Sequence, residues 1–295
     1  MKRLNLTPYA FIAPHVILFI LMFLIPTVYG IYAAFIFLVP LLWILVSAFK
    51  VDMEVNRAGG FLLLPQTWTL DNIAALLHPD NTHLPVVRWY INSIVVSVTH
   101  TVFAVIIVSM SAFAYAKLKF KGKDIIFFSL LFLSSFPPVA NIISQYRVVL
   151  ELGWLNTPLA LIAPGLAGVF NIFLVRQFMY GIPNELLESA KIDGAGEFRV
   201  FSQIVMPLCK PILTVVALFS FTGVWNDFLW PSIAMKDIEG LTLTPGLQLA
   251  RGPFGAQIAN MSSITLIAIV PMIVLFLCTQ RYFIRGVSLS SGVKG

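Results

Sequence analysis

Residues 9–49 form a run of 41 positions that contains no Asp, Glu, Lys or Arg. As a single helix this run would extend about 60 Å, twice the hydrocarbon thickness of a bilayer. Further charge-poor apolar runs cover roughly 88–116, 125–149, 155–180, 212–235 and 264–283. Each reaches the length of about 20 residues that a membrane crossing needs. A backbone in lipid must satisfy its own hydrogen bonds, and these runs are too long and too continuously apolar for barrel strands. The expected fold is therefore an all-α polytopic membrane bundle. Composition agrees, because 59% of the residues are hydrophobic and only 11% are charged, against about a quarter charged in soluble domains.

The first run cannot be buried by one crossing, and Pro26 to Gly30 is the natural place for it to break. If both halves cross there are seven spans, and if one crosses there are six. The five later runs place 50–89 outside in either case. No small-x-small cleavage site punctuates the first run, so it reads as retained rather than as a removed signal peptide.

Bases set the orientation, since Lys and Arg near span ends stay on the cytoplasmic side. Alternate threading puts Lys2, Arg3, Lys117, Lys119, Lys121, Lys123, Lys191, Arg199, Lys210, Arg281, Arg285 and Lys294 on one side. Lys50, Arg57, Arg88, Arg147, Lys236 and Arg251 fall on the other. Twelve against six places the C-terminus in the cytoplasm. The net charge of +6 then reads as topology and requires no nucleic-acid partner.

Metal and nucleotide chemistry find no support in the residues. Cys209 and Cys278 have no metal spacing and read as small hydrophobes. His15, His78, His83 and His100 show no ligand pattern, and there is no G-x-x-x-x-G-K stretch or Rossmann glycine run. No metal and no cofactor is expected on this chain.

One polar island interrupts the apolar pattern, with four acids and three bases between Glu185 and Lys210. Asn184 can cap a short helix after Pro183, with Glu185 in its first turn. Leu186, Leu187 and Ala190 share a face, Gly194 permits a sharp turn, and Phe198, Phe201 and Val205 stripe a second short helix that Pro207 and Pro211 end. The result is a helix-turn-helix knuckle suited to a partner's groove. A loop lying on lipid headgroups is the competing reading.

The island carries a longer pattern: Glu188, Ser189, Ala190, then Asp193, Gly194 and Ala195, then Ile204 and Pro207 followed by Pro211. This resembles the signature loop of ABC-importer permeases of the carbohydrate-uptake branch. It departs at Ser189, where alanine is usual, and at Met206, where leucine is usual. From about Phe35 to Gly295 the chain resembles the smaller of two permease subunits in maltose-type importers, including Trp225-Asn226-Asp227-Phe228 and the terminal Gln280 to Gly286 with Gly292 to Gly295. Pro8 to Tyr32 resembles the first span of the larger subunit. The implied organisation is an extra apolar segment over 1–30 and a permease domain over 31–295 with six core helices and a coupling loop at 183–211.

That resemblance implies a second permease subunit, a pair of ATP-binding cassette ATPases carrying ATP and Mg, an extracytoplasmic sugar-binding protein and a sugar substrate. The membrane would be the plasma (inner) membrane of a bacterium or archaeon. Glu188 would hold a polar contact to the ATPase, Gly194 would set the turn, and Ala190 and Ala195 would allow close approach. The tail at Lys294 and Gly295 would also reach the ATPases, and the loop 240–260 would meet the binding protein or simply connect spans.

Polar groups in lipid are expensive and tend to face a pathway. They nominate His100, Asn141, Asn171, Trp225, Asn226 and Asp227 for the translocation path, with Trp230 as a further aromatic face for sugar. Helix–helix bonding and interfacial anchoring are the competing roles. Two other functions are weighed. An ion-coupled carrier is disfavoured because Asp227 is the only acid well within a span, and a membrane enzyme lacks a catalytic constellation.

Overall fold

The computed structural model of the chain describes residues 7–55, 64–78, 84–249 and 258–291. Its helices, in chain order, are α1 (Thr7–Ser47), α2 (Asp71–Leu77), α3 (Val86–Lys117), α4 (Lys123–Ser134), α5 (Ile142–Glu151), α6 (Pro158–Ile162) and α7 (Val169–Tyr180). They continue with α8 (Asn184–Ile192), α9 (Glu197–Leu208), α10 (Lys210–Trp225), α11 (Leu229–Ala234), α12 (Leu243–Leu249) and α13 (Ile258–Ser291). Among the described residues three helices are long and apolar enough to cross a membrane, Pro26–Ser47, Val86–Lys117 and Ile258–Gln280. The count rises to five if each of two bent pairs makes one span.

The expected break at Pro26 to Gly30 is absent, and α1 runs through it unbroken. Proline forfeits one ladder hydrogen bond, whereas opening the helix in lipid would strand several backbone groups at several kcal/mol each. The smaller loss wins. Residues 26–38 of this helix are exposed, and the chain first buries itself at Ser47, Ala48 and Lys50, where α1 meets α13. Beyond it, Glu54 accepts hydrogen bonds from the Thr67 hydroxyl (2.8 Å) and from the amides of Gln66 and Thr67 (3.1 Å each).

Two of the later runs do not form continuous spans either. The run 125–149 breaks at Pro137-Pro138, where Lys123–Ser134 and Pro138–Glu151 meet at 95°. The run 155–180 divides into α6 and α7 around Pro164 and Gly165, and Gly165 sits at φ +81°. Consecutive donors lost to proline, and a left-handed glycine, make these turns cheaper than helix.

The central mast is α3, which packs mainly against α7 and α10. At one end of the bundle Val108, Ala112, Phe127, Val175, Met179, Leu187, Val205 and Val216 form a core that includes the knuckle. At the other end Val86, Trp89, Phe221, Trp225, Leu243 and Ile264 form a second core. A third, with Val96, Val149, Leu161 and Trp230, lies under α5, α6 and α11. Arg176 is buried in α7, paired to Asp124 Oδ1 at 2.9 Å, with its guanidinium 4.0 Å from the Phe127 ring centroid.

Candidate functional site

The polar island folds as the expected knuckle, with a defined backbone device at its turn. Gly194 has φ +82° and follows the last residues of α8. Its N–H donates to the Lys191 carbonyl at 3.0 Å, and the Ala195 N–H reaches back to the Ala190 carbonyl at 2.9 Å. This is a Schellman cap, which calls for a left-handed residue at this position and a small apolar pair beside it. Ala190 and Ala195 are that pair, both packed against the inner core.

Asn184 does not cap α8. It is the first helical residue after Pro183, and its Oδ1 accepts from Lys117 Nζ at 2.9 Å, while the same ammonium donates to the Ile182 carbonyl at 2.7 Å. Lysine at the end of the mast therefore fixes the entry to the knuckle, a contact between distant positions that no local pattern announces. Ser189 Oγ donates back to the Glu185 carbonyl at 2.9 Å, and Lys191 pairs with Glu197 across the turn.

The second arm is not plain α-helix. Residues Val200–Val205 are π-helical, and Ile204 lies within them, half-buried. Pro207 follows, exposed, and its ring cannot donate to the preceding turn. A widened turn beside a proline accommodates that crowding, and such π segments often mark functional places. The arm Glu197–Leu208 then meets Lys210–Trp225 at 81°.

Apolar side chains stand out around the turn of the knuckle, among them Ile192 at 86%, Phe198 at 75% and Leu186 at 46% exposure. Glu188 and Asp193 are exposed beside them, and Glu188 has no hydrogen bond or ion pair among the described residues. Leu187, Val200 and Val205 point the other way, into the core. One face holds the knuckle to the bundle and the other offers apolar area ringed by charge.

A cavity of about 400 Å³ lies deeper, between α3, α5, α6, α7, α10 and α11. Asn171 and Asp227 line it, as do His100, Gln145, Ser220 and Trp230. Asn171 Nδ2 is 3.5 Å from Ser220 Oγ, His100 Nδ1 is 2.9 Å from the Ile162 carbonyl oxygen, and Trp230 Nε1 donates to the Ala160 carbonyl at 2.8 Å. Asp227 Oδ1 accepts from the Trp230 amide at 3.3 Å. Trp225 instead stacks on Phe221 (5.7 Å between centroids) and meets Tyr90 edge-on in the second core. Asn226 and Asn141 are exposed and lie outside the cavity lining. Gln145, Ser220 and Thr242 were not singled out in the sequence, although Gln145 interrupts an apolar run as visibly as Asn171 does.

A second cavity of about 830 Å³ opens beside Arg88, Asn92, Asn156, Lys236, Asp237 and Glu239, and shares Val96 and Leu161 with the first. Asn156, at φ +62°, accepts from the amides of Lys236 and Asp237 at 3.0 and 3.1 Å and donates to the Asp237 carboxylate. Trp89 Nε1 donates to the Ile238 carbonyl at 2.6 Å, and Arg88 pairs with Glu239 at 3.1 Å. Two of the bases assigned to the outer side, Arg88 and Lys236, therefore line one cavity. Of the outer loop proposed for docking, residues 250–257 lie outside the described residues. So do His83 and the tail 292–295. Among the described residues no cluster of three or more metal-ligating side chains occurs.

An all-helical body with bent spans, a polar cavity at depth and an exposed knuckle defines a multi-pass membrane permease. The chain belongs to the family of binding-protein-dependent transport system inner membrane components, whose model matches residues 104–289. It is 32% identical over 265 residues to the arabinooligosaccharides transport system permease protein AraQ of Halalkalibacterium halodurans, covering 90% of this chain and 94% of that one. It is 33% identical over 261 residues to the maltodextrin transport system permease protein MdxG of Bacillus subtilis, covering 87% and 90%. A crystal structure of a bacterial ABC transporter involved in the import of the acidic polysaccharide alginate contains a chain of the same fold. The two superpose with a TM-score of 0.78 at 20% identity, over 96% of this chain and 99% of that one.

Proposed function

We propose that this chain is a membrane-spanning subunit of an ATP-driven importer and passes a sugar or oligosaccharide handed over by an extracytoplasmic binding protein. The observation that carries the reading is the knuckle, where Ile192, Phe198 and Leu186 are exposed beside unpaired Glu188 while the opposite face is locked into the bundle. Apolar side chains turned to water on a rigid, charged-rimmed elbow suit a groove on a partner protein. That partner is an ATPase pair, which supplies ATP and Mg. The relatives' sugar cargo supports saccharide as the substrate class. A second permease subunit completes the pathway.

In this reading residues 183–211 form the coupling loop and 1–30 are an extra apolar segment before a permease domain at 31–295. The excess of bases on the knuckle side keeps that side, and the C-terminus, in the cytoplasm. Asn171 and Asp227 contact cargo through the cavity, whereas Trp225 packs in the second core and Asn226 and Asn141 lie outside the lining. Nucleotide-driven closure of the ATPases would move the knuckles and switch the access of the cavity.

The test uses the assembled importer in proteoliposomes. Glu188→Ala and Phe198→Ser alter exposed side chains only, so insertion is expected to persist while ATPase association weakens about tenfold or more, and uptake per ATP falls. Unchanged association and coupling in both variants would refute the assignment.

A further inference from the structure

The cavity lining contains one carboxylate, Asp227, one imidazole, His100, and no lysine or arginine. Asp227 takes its hydrogen bond from a backbone amide rather than from a cation, and it makes no ion pair among the described residues. The outer cavity that adjoins it is balanced, with Arg88 and Lys236 against Asp237 and Glu239. Its Arg88 is already held by Glu239. Among the described residues that line both cavities, the one uncompensated charge contributed by an acid or a base is therefore the carboxylate of Asp227.

A fixed charge at bilayer depth acts through a low-dielectric surround, where like-charge repulsion is strong and little screened. The remaining lining offers what a neutral polyol needs: the amides of Gln145 and Asn171, the hydroxyl of Ser220, and the aromatic faces of Phe219 and Trp230. The volume, about 400 Å³, falls in the range of small-molecule sites, roughly 300–1,000 Å³.

We infer that Asp227 is a specificity-determining residue that makes this permease select uncharged saccharides and reject anionic ones such as uronates or sugar phosphates. The inference rests on the sugar-permease reading and sharpens it to a substrate class. Rejection by repulsion works alongside the attractive hydroxyl contacts, as specificity often does.

The importer assembled with its partner subunits is reconstituted, and uptake is measured for radiolabelled maltotriose and arabinotriose. The charge dependence is read with a matched pair, maltotriose oxidised at its terminal C6 to the uronate and the corresponding uronamide, which differ only in charge. The wild type is expected to take up uronamide about tenfold or more faster than uronate. Asp227→Asn raises the uronate-to-uronamide ratio about fivefold or more, and Asp227→Glu does not. Gln145→Glu, which adds a second carboxylate to the lining, lowers the ratio further and keeps the test open if Asp227→Asn fails to assemble. Equal uptake of the pair by the wild type, or ratios that neither substitution moves, overturns the inference while leaving sugar transport intact. Failure of the wild type to take up any neutral probe, with ATP hydrolysis unresponsive to all of them, overturns the sugar reading and the inference with it.

Discussion

Gly194→Ala isolates the turn of the knuckle from everything around it. The residue sits at φ +82°, yet a Cβ placed there would meet nothing within 4 Å. The penalty is consequently conformational alone, about 1–2 kcal/mol for an L-residue with a Cβ in the left-handed region. That corresponds to roughly a 5- to 30-fold shift away from the Schellman cap that aligns α8 with α9. Gly196, two positions on, supplies the control, because it lies at φ −71°, ψ 165° with equally open space. Alanine fits there without strain, and its gain from trimming unfolded-state freedom is offset by its poorer fit at this helix N-cap, so the net effect stays within about 1 kcal/mol. Titration of the ATPase onto the reconstituted permease, together with sugar moved per ATP hydrolysed, should show weakened binding and coupling in Gly194→Ala and none in Gly196→Ala. Asn tolerates the left-handed region better than Ala, so Gly194→Asn should fall between wild type and Gly194→Ala. If the two alanine variants behave alike, or Asn is worse than Ala, the left-handed turn is not what couples the knuckle to its partner.

A Cβ on Gly246 would collide with the indole ring of Trp89, and Trp89 is fully buried and tethered to the Ile238 carbonyl. Gly246→Ala should therefore cost about 1–3 kcal/mol of overpacking and lower the melting temperature in detergent, and a wild-type melting curve would count against the close approach. Glu54 is held below the ordinary carboxylate value first by the Thr67 hydroxyl and then by the Gln66 and Thr67 amides. A carboxyl whose folded value is depressed contributes at neutral pH and loses that contribution as pH falls through the folded value. Protection of the Gln66 and Thr67 amides from hydrogen exchange should thus hold at pH 7 and be lost only as pH falls below the ordinary carboxylate range, and Thr67→Val should move the onset upward. Protection that ignores both changes would refute the tether.

The class of fold was readable because lipid imposes one rule on every residue, and charge-free runs of 20 or more obey it visibly. The ends of those runs were less readable for the same reason: an apolar run continues across a bend without any change of composition. Pro137-Pro138 and Pro164-Gly165 did mark bends, whereas Pro26, Gly30 and Pro271 lie inside continuous helices. What separates them is a second, adjacent breaker. One lost donor is tolerated within a helix, but two lost together, or one beside a left-handed glycine, leave too little ladder to hold the axis straight.

The knuckle and the cavity were legible to different depths because their signals have different ranges. A Schellman cap is written in consecutive residues, so Ala190, Gly194 and Ala195 announce it locally. A cavity is assembled from six helices and the turns between them, and membership depends on how they pack rather than on polarity. Trp225, Asn226 and Asp227 are neighbours in sequence, yet Trp225 is the last residue of α10 and turns into the second core, Asn226 follows the helix end and is exposed, and Asp227 comes round to the cavity. Only Trp225 belongs to α10, and Asn226 and Asp227 lie in the turn after it, so adjacency in sequence does not give the three one destination. Conversely Asn171 and Ser220 are far apart in the chain and converge because α3 serves as the axis around which α7 and α10 pack, and Gln145 joins them from α5, which packs against α11. Only after that packing is fixed does a lone acid become a statement about cargo, since its weight depends on there being no cation within reach.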